Sequence, residues 1–172
     1  LWTEGLKETG QTNPTLELLT DDTTNAKRSA EYIQSTLQQN LPGLKVTIAT
    51  VPFKTRLSRS QNGQFDMVIS AWSADFPDAI TFLDLFTSDN SYNDGKWANS
   101  EYDALIKQSK TTDATNATAR WNTLLKAQEL LTKEQGVVPL YQRVQTTLQR
   151  KTITGLKYNP TNSYDFVNAK VK

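Results

Sequence analysis

The stretch Phe65–Phe86, FDMVISAWSADFPDAITFLDLF, constrains this chain more than any other. Met67 to Ala71 is a short apolar run of the kind that forms a buried strand. It breaks at Trp72-Ser73-Ala74-Asp75-Phe76-Pro77-Asp78, where aromatic rings and carboxylates crowd a turn. It resumes as a helix over Asp78–Phe86, with Ile80, Phe82, Leu83, Leu85 and Phe86 apolar almost all round. A strand that ends in an aromatic and acidic loop and then feeds a helix places its side chains at the carboxyl edge of an open α/β sheet, where ligands bind.

The residues before this stretch supply the rest of such a sheet. Thr15 to Asp22, TLELLTDD, is a Leu-rich run between turn formers and reads as a strand. From Thr24 or Asn25 as N-cap, Ala26, Ala30, Ile33, Leu37 and Leu41 recur at helical spacing until Pro42-Gly43 stops them. Leu44 to Pro52 is β-branched and alternates Leu44, Val46 and Ile48, a second strand. A short helix over Phe53–Asn62 leads through Gly63 to the third strand, Phe65–Ala71. Strands separated by helices pair in parallel through right-handed crossovers, so the fold class is α/β with a small, mostly parallel sheet flanked by helices.

The remainder is more helical. A polar loop, Thr87–Lys96, precedes a helix capped by Ser100, and a longer one capped by Asp113 carries Ala117, Trp121, Leu124, Gln128 and Leu131 on one face up to Gly136. Val137–Leu148, interrupted by Pro139, reads as an edge or bent strand. Lys151–Tyr158 and Tyr164–Val171 are further strand candidates around a turn at Asn159-Pro160.

Composition removes whole classes of chemistry. The 172 residues hold no cysteine and no histidine, which excludes thiolate and imidazole metal sites, a cysteine nucleophile and a Ser-His-Asp relay. Nineteen basic and eighteen acidic side chains leave a net charge of +1, so no global field draws the chain to nucleic acid. No apolar run approaches the roughly 20 residues of a membrane span. Leu1, Trp2 and Leu6 read as the tail of a helix already under way, with no initiator Met, as in a fragment of something larger.

Two carboxylates stand out at the turn. Asp78 reads as the cap of the helix that follows, although with Asp75 it could form the acid and base pair of a glycoside hydrolase. Asp75, at the strand's end beside Trp72 and Phe76, has no Lys or Arg near it in sequence. A carboxylate between aromatic walls calls for a cation, either a ligand ammonium or a distant Arg. Tyr92 and Trp97 either line a cleft or cover the sheet. The oxygen-rich loop Asp89–Gly95 departs from the calcium-binding pattern in its Gly and in Ser100, and reads as a solvated loop. No metal ligand set and no phosphate cradle is present.

Three segments, NGQFDMVISAWSADFPDAITFLDLF, KWANSEYDALI and GVVPLYQRVQTTLQRKTITGLKYNP, resemble in their order the oligopeptide- and dipeptide-binding proteins of bacterial ABC importers, family 5 of the extracellular solute-binding proteins. The resemblance implies a periplasmic-binding-protein type II-like lobe spanning 1–172, the C-terminal portion of a larger two-lobed receptor, with 136–172 returning toward the missing N-terminal lobe. It implies a non-catalytic, cofactor-free receptor that binds extended oligopeptides and hands them to ABC permease subunits. Such a receptor works outside the cytoplasmic membrane, in a periplasm or as a surface lipoprotein whose anchor lies outside this chain. The carboxylate matching Asp75 would take the peptide's α-amino group, Ala71 and Ser73 would offer main-chain bonds, Trp72 would flank a side-chain pocket, Phe76 would be a further peptide-binding residue, and Tyr141 would face the cleft. Where some relatives carry an Arg just before the Trp, this chain has Ile69 and Ser70. The same scaffold also serves metal chelates and sugars.

Overall fold

A computed structural model describes residues 1–144, 146–159, 161 and 163–172. Contacts within it group into two compact units, Leu1–Ala71 and Trp72–Lys172.

In the first unit, α1 (Trp2–Thr9) ends at Gly10 in the left-handed conformation, and β1 (Thr15–Asp21), α2 (Thr24–Asn40), β2 (Lys45–Val51), α3 (Phe53–Gln61) and β3 (Met67–Val68) follow. The sheet order is β2-β1-β3, all parallel, with Thr15 opposite Lys45 and Leu18 opposite Met67. Central β1 is covered on both faces, so Leu18, Leu19 and Thr20 are all buried. The α2 stripe and the alternating residues of β2 close a core of Leu18, Ala30, Leu44 and Val46, against which Ile33, Leu37 and Leu41 pack. The α2 cap is Thr23, one residue before Thr24 and two before Asn25, its side chain accepting from the Ala26 N–H at 3.3 Å.

β3 is much shorter than the expected Phe65–Ala71. At its start the Asp66 carboxylate, rather than a main-chain carbonyl, accepts the Glu17 N–H at 2.8 Å. At its end Ile69 N–H donates to Leu19 O at 3.0 Å and pairing stops. The buried Arg56 of α3 fixes this end of the sheet, donating to Asp21 at 3.1 Å and to Ser70 at 3.4 Å with Phe53 against its guanidinium.

In the second unit, α4 (Ile80–Leu83) runs into a 3-10 turn over Asp84–Phe86, and α5 (Ser100–Lys110) and α6 (Ala117–Lys133) pack together. Ile80 and Leu83 join Tyr102, Ile106, Leu124, Ala127 and Leu131 in one core. Phe82 faces outward instead, because a single helical turn can bury only one side. On α6 the buried stripe runs through Leu124, Ala127 and Leu131, while Trp121 is exposed. The caps are Asn99 and Asn116 rather than Ser100 and Asp113: their side-chain oxygens accept the Tyr102 and Ala119 N–H groups. Asp113 is buried and accepts from the Thr123 hydroxyl at 2.6 Å and the Gln108 amide at 2.9 Å.

The strand expected over Val137–Leu148 is not formed among its described residues. Pro139 removes a donor, and Val138, Leu140, Tyr141, Val144 and Leu148 are exposed. The C-terminal strands are short antiparallel pairs, β4 (Ile153–Thr154) with β7 (Lys170–Val171) and β5 (Lys157–Asn159) with β6 (Ser163–Asp165). The Pro160 of the expected turn lies outside the described residues.

The end of α6 shows why a glycine stands at 136. The left-handed residue is Gln135, at φ 59°, whereas a Cβ on Gly136 would stand 2.7 Å from the Trp97 ring and 2.8 Å from Leu131. Gly136→Ala is therefore expected to destabilise the protein by ~1–3 kcal/mol. Gln135→Gly relieves the left-handed strain and should stabilise by up to ~1 kcal/mol. Urea unfolding of the two variants checks both signs.

Candidate functional site

The chain leaves β3 and crosses residues 70–79 without regular structure. Among the described residues, the main-chain groups of Ala71, which closes the first unit, and of Trp72, Ser73 and Ala74, which open the second, make no hydrogen bond. Within the second unit, three consecutive residues with free donors and acceptors, Trp72 to Ala74, form a strip to which another extended backbone can bond.

Order begins at Asp75. Its N–H donates to the Thr81 hydroxyl at 3.1 Å, and that hydroxyl lies 3.4 Å from Asp75 Oδ2, to which it donates. Thr81 is buried on α4, so an apolar turn of helix presents one polar group beneath the loop and sets both backbone and side chain of Asp75. The Asp75 carboxylate itself is exposed and forms no ion pair among the described residues.

Its neighbours Asp78 and Asp84 are both paired. Asp78, expected as the helix cap, stands one residue before the observed N-cap Ala79, and its Oδ1 accepts the Ile80 N–H at 2.9 Å, two residues on, in an Asx turn. Both Asp78 oxygens also receive Arg120 of α6, Nη1 at 2.7 Å and Nη2 at 2.9 Å. The Arg120 hydrogen bonds hold the Asp78 carboxyl below its ordinary value, with a smaller contribution from the Ile80 N–H and an opposing one from burial. The same pairing raises the Arg120 guanidinium. Asp84 binds Lys110 at the end of α5, and its main-chain carbonyl accepts the Asn90 amide at 2.8 Å.

These groups line a cleft of about 340 Å³ within the second unit. Trp72, Phe76, Tyr92, Ile80 and Leu85 form apolar walls around Asp75, with Asp84, Lys110 and Arg120 at the polar margin. Trp72 and Tyr92 meet edge to face at 4.8 Å, and 36% and 54% of their surfaces remain open. A second hollow of about 370 Å³ lies against Pro77, Phe82, Trp121 and Leu124, but its charged groups, Asp78 and Arg120, are bonded to each other. The smaller cleft is the candidate site because it holds the unpaired charge.

Trp72, Asp75 and Phe76 thus come together, with Ser73 on the unpaired strip and Ala71 at the end of the first unit. Tyr141 is exposed on the 137–150 stretch and does not line the cleft. The question left open for Tyr92 and Trp97 resolves differently for each: Tyr92 lines the cleft, while Trp97 packs on the core and against Tyr102 at 5.0 Å. The Asp89–Gly95 loop is organised by its own amides. Buried Asn93 donates to Trp97 O at 2.7 Å and to Thr87 O at 3.3 Å, and among the described residues no metal-holding cluster occurs.

Thr81, Asp84, Lys110 and Arg120 were missed by sequence reasoning. Thr81 had a faint signal, as a hydroxyl amid the apolar AITFLDLF. Arg120, 42 residues after Asp78, had none.

Residues 1–94 match the profile of the bacterial extracellular solute-binding proteins, family 5. The dipeptide-binding protein of Lactococcus lactis subsp. cremoris is 40% identical over all of this chain and 32% of its own length. Dipeptide-binding protein DppE of Bacillus subtilis is 32% identical over 94% of this chain and 30% of its own. Listeria monocytogenes OppA, solved with bound peptide, superposes at TM-score 0.84 and 39% identity over 99% of this chain and 32% of that one. The substrate-binding domain of an oligopeptide ABC transporter from Bacillus anthracis does so at TM-score 0.88 and 34% identity, covering 99% and 33%. This chain spans about a third of the length of the curated relatives it matches. The α/β arrangement is the type II periplasmic-binding-protein-like fold of these neighbours.

The Asp78–Arg120 pair generates a stability prediction with a definite pH sign. A carboxyl depressed in the folded state contributes stability that is present above the unfolded value of 3.8 and lost as pH falls through the folded value. Arg120→Met should cost about 1 kcal/mol near neutral pH and progressively less as the medium is acidified below that value. Urea unfolding of wild type and variant across that range measures it; a cost independent of pH would show that the pair is not its source.

Proposed function

The chain belongs to the family 5 bacterial extracellular solute-binding proteins, a family of binding proteins rather than enzymes, and we propose that it forms part of a receptor that binds extended oligopeptides outside the cytoplasmic membrane and delivers them to an ABC importer. One observation carries this reading: Asp75 is an uncompensated carboxylate in an aromatic-walled cleft, placed directly after a strip of unpaired main chain.

A peptide's α-ammonium group supplies the cation Asp75 lacks. Ala71 and Ser73 supply main-chain donors and acceptors for the peptide backbone, so affinity comes from groups every peptide possesses. Trp72 and Phe76 flank the first side chain, whereas Tyr141, expected to face the ligand, stands outside the lining of the cleft. Relatives solved with peptide or named for dipeptides support the ligand class. Binding requires neither catalysis nor cofactor.

The chain spans about a third of the length of its relatives, and in this reading the remainder of such a receptor supplies the opposite wall of the cleft. Residues 136–172 run toward that part, and the exposed apolar side chains Val138, Leu140, Val144 and Leu148 are the surface it covers. Contact with ABC permease subunits at the membrane completes the transport role.

The carboxylate-pair hydrolase loses support from the site itself. Asp78 is turned into its own helix and clamped by Arg120, which leaves neither oxygen to face Asp75 across an open groove.

Calorimetry on the full-length receptor is expected to show Asp75→Ala losing at least about tenfold in peptide affinity, comparable to the loss on N-acetylating the peptide. An unchanged constant in both cases overturns the assignment.

A further inference from the structure

We infer that the Asp84–Lys110 pair makes this cleft selective for peptides whose first residue is uncharged and bulky, apolar or aromatic, and that Lys110 is the residue that excludes basic first residues. The inference rests on the reading of Asp75 as the ammonium anchor, and deepens it.

It follows from the charges of the cleft taken one by one. Its carboxylates are Asp75 and Asp84, and its cations are Lys110 and Arg120. Lys110 is held by Asp84, and Arg120 by both oxygens of Asp78. Once a ligand ammonium occupies Asp75, every charge bordering the cleft has its partner. A further charge on the ligand's first side chain would be taken from water with no counter-ion to receive it, and unpaired charges are how sites reject competitors. What the cleft still offers is apolar area, on Trp72, Tyr92 and Phe76, of which 36%, 54% and 48% of the surface is uncovered. The Trp72–Tyr92 edge-to-face contact holds two of these rings as a wall a bulky side chain can cover.

The pair is also the part of the cleft that can be reset without touching the anchor. Lys110 is the last residue of α5 and half exposed, and among the described residues its ammonium bonds to Asp84 alone. Removing its charge frees the Asp84 carboxylate toward the cleft and creates a second cation site. Removing the Asp84 charge frees the ammonium of Lys110 and creates an anion site.

The test is calorimetry on the full-length receptor with the tripeptides Leu-Ala-Ala, Phe-Ala-Ala, Lys-Ala-Ala and Asp-Ala-Ala, and with N-acetylated Leu-Ala-Ala. Wild type is expected to favour the first two over the charged pair by about tenfold or more. Lys110→Met should raise the affinity for Lys-Ala-Ala relative to Leu-Ala-Ala by about tenfold, and Asp84→Asn should do the same for Asp-Ala-Ala. Thermal melting confirms that both variants are folded; if one is not, the other carries the result. If free and acetylated Leu-Ala-Ala bind alike, or no peptide binds, the ammonium reading fails and the selectivity falls with it. If the free amine is preferred but both charge substitutions leave the ratios within about twofold, the ammonium reading stands and this inference is overturned.

Discussion

The two-pronged bond between Arg120 and Asp78 is the tie on which the arrangement of the site depends. Asp78 ends the irregular crossing, and Arg120 stands on α6, a helix of more than four turns whose inner face lies in the core. Between them hangs α4, four residues long and far below the length at which a helix holds itself in water. Its persistence comes from outside: Ile80 and Leu83 are buried against α5 and α6, the buried Tyr102 hydroxyl donates to Leu83 O at 2.5 Å, and Asp78 fixes the first turn through both Ile80 N–H and Arg120. Burial raises the Tyr102 phenol, reinforced by the nearby Asp84 and Asp103 charges.

From that anchored turn the order propagates backwards by one link. Thr81 reaches Asp75, and upstream of Asp75 the bonding stops. The site therefore combines a well-held carboxylate with a stretch of main chain that nothing in the protein satisfies. Exposed and unpaired backbone is a liability at a sheet edge, where it invites pairing with other chains. At Trp72 to Ala74 the same tendency leaves donors and acceptors available to an incoming extended chain.

The periodic elements were legible in the sequence because their causes are local. The α2 stripe, the alternation of β2 and the break at Pro42-Gly43 are patterns over a few residues, and the structure places them within a residue or two. The irregular elements were legible only as composition. Two caps fell on an Asn near the expected residue, Asn99 one position before Ser100 and Asn116 three positions after Asp113, each with its amide oxygen accepting a first-turn N–H. The strand expected at Val137–Leu148 had the right side chains, but a strand is a pairing, and none of its described residues pairs with another strand. At the site, Asp75, Trp72 and Phe76 could be singled out because an acid among aromatics with no cation nearby is anomalous in sequence. Arg120 and Lys110 could not, since ordinary exposed cations on amphipathic helices look alike until the helices are packed.

That last point bears on why one carboxylate could be singled out at all. Asp75, Asp78 and Asp84 fall within ten positions of one another, and three like charges so close would repel and share any incoming cation among them. The fold breaks this equivalence with two helices. α6 delivers a guanidinium whose planar fork matches both oxygens of Asp78, and α5 delivers at its C-terminal end, where the helix dipole favours a cation, the ammonium that holds Asp84. Among the described residues the Asp75 carboxylate is met by no cation, and its hydrogen-bond donor is the neutral hydroxyl of Thr81 on α4. Its availability is thus a property of α5 and α6 as much as of its own loop: they occupy the alternatives, and a cation entering the cleft finds a single carboxylate without a partner.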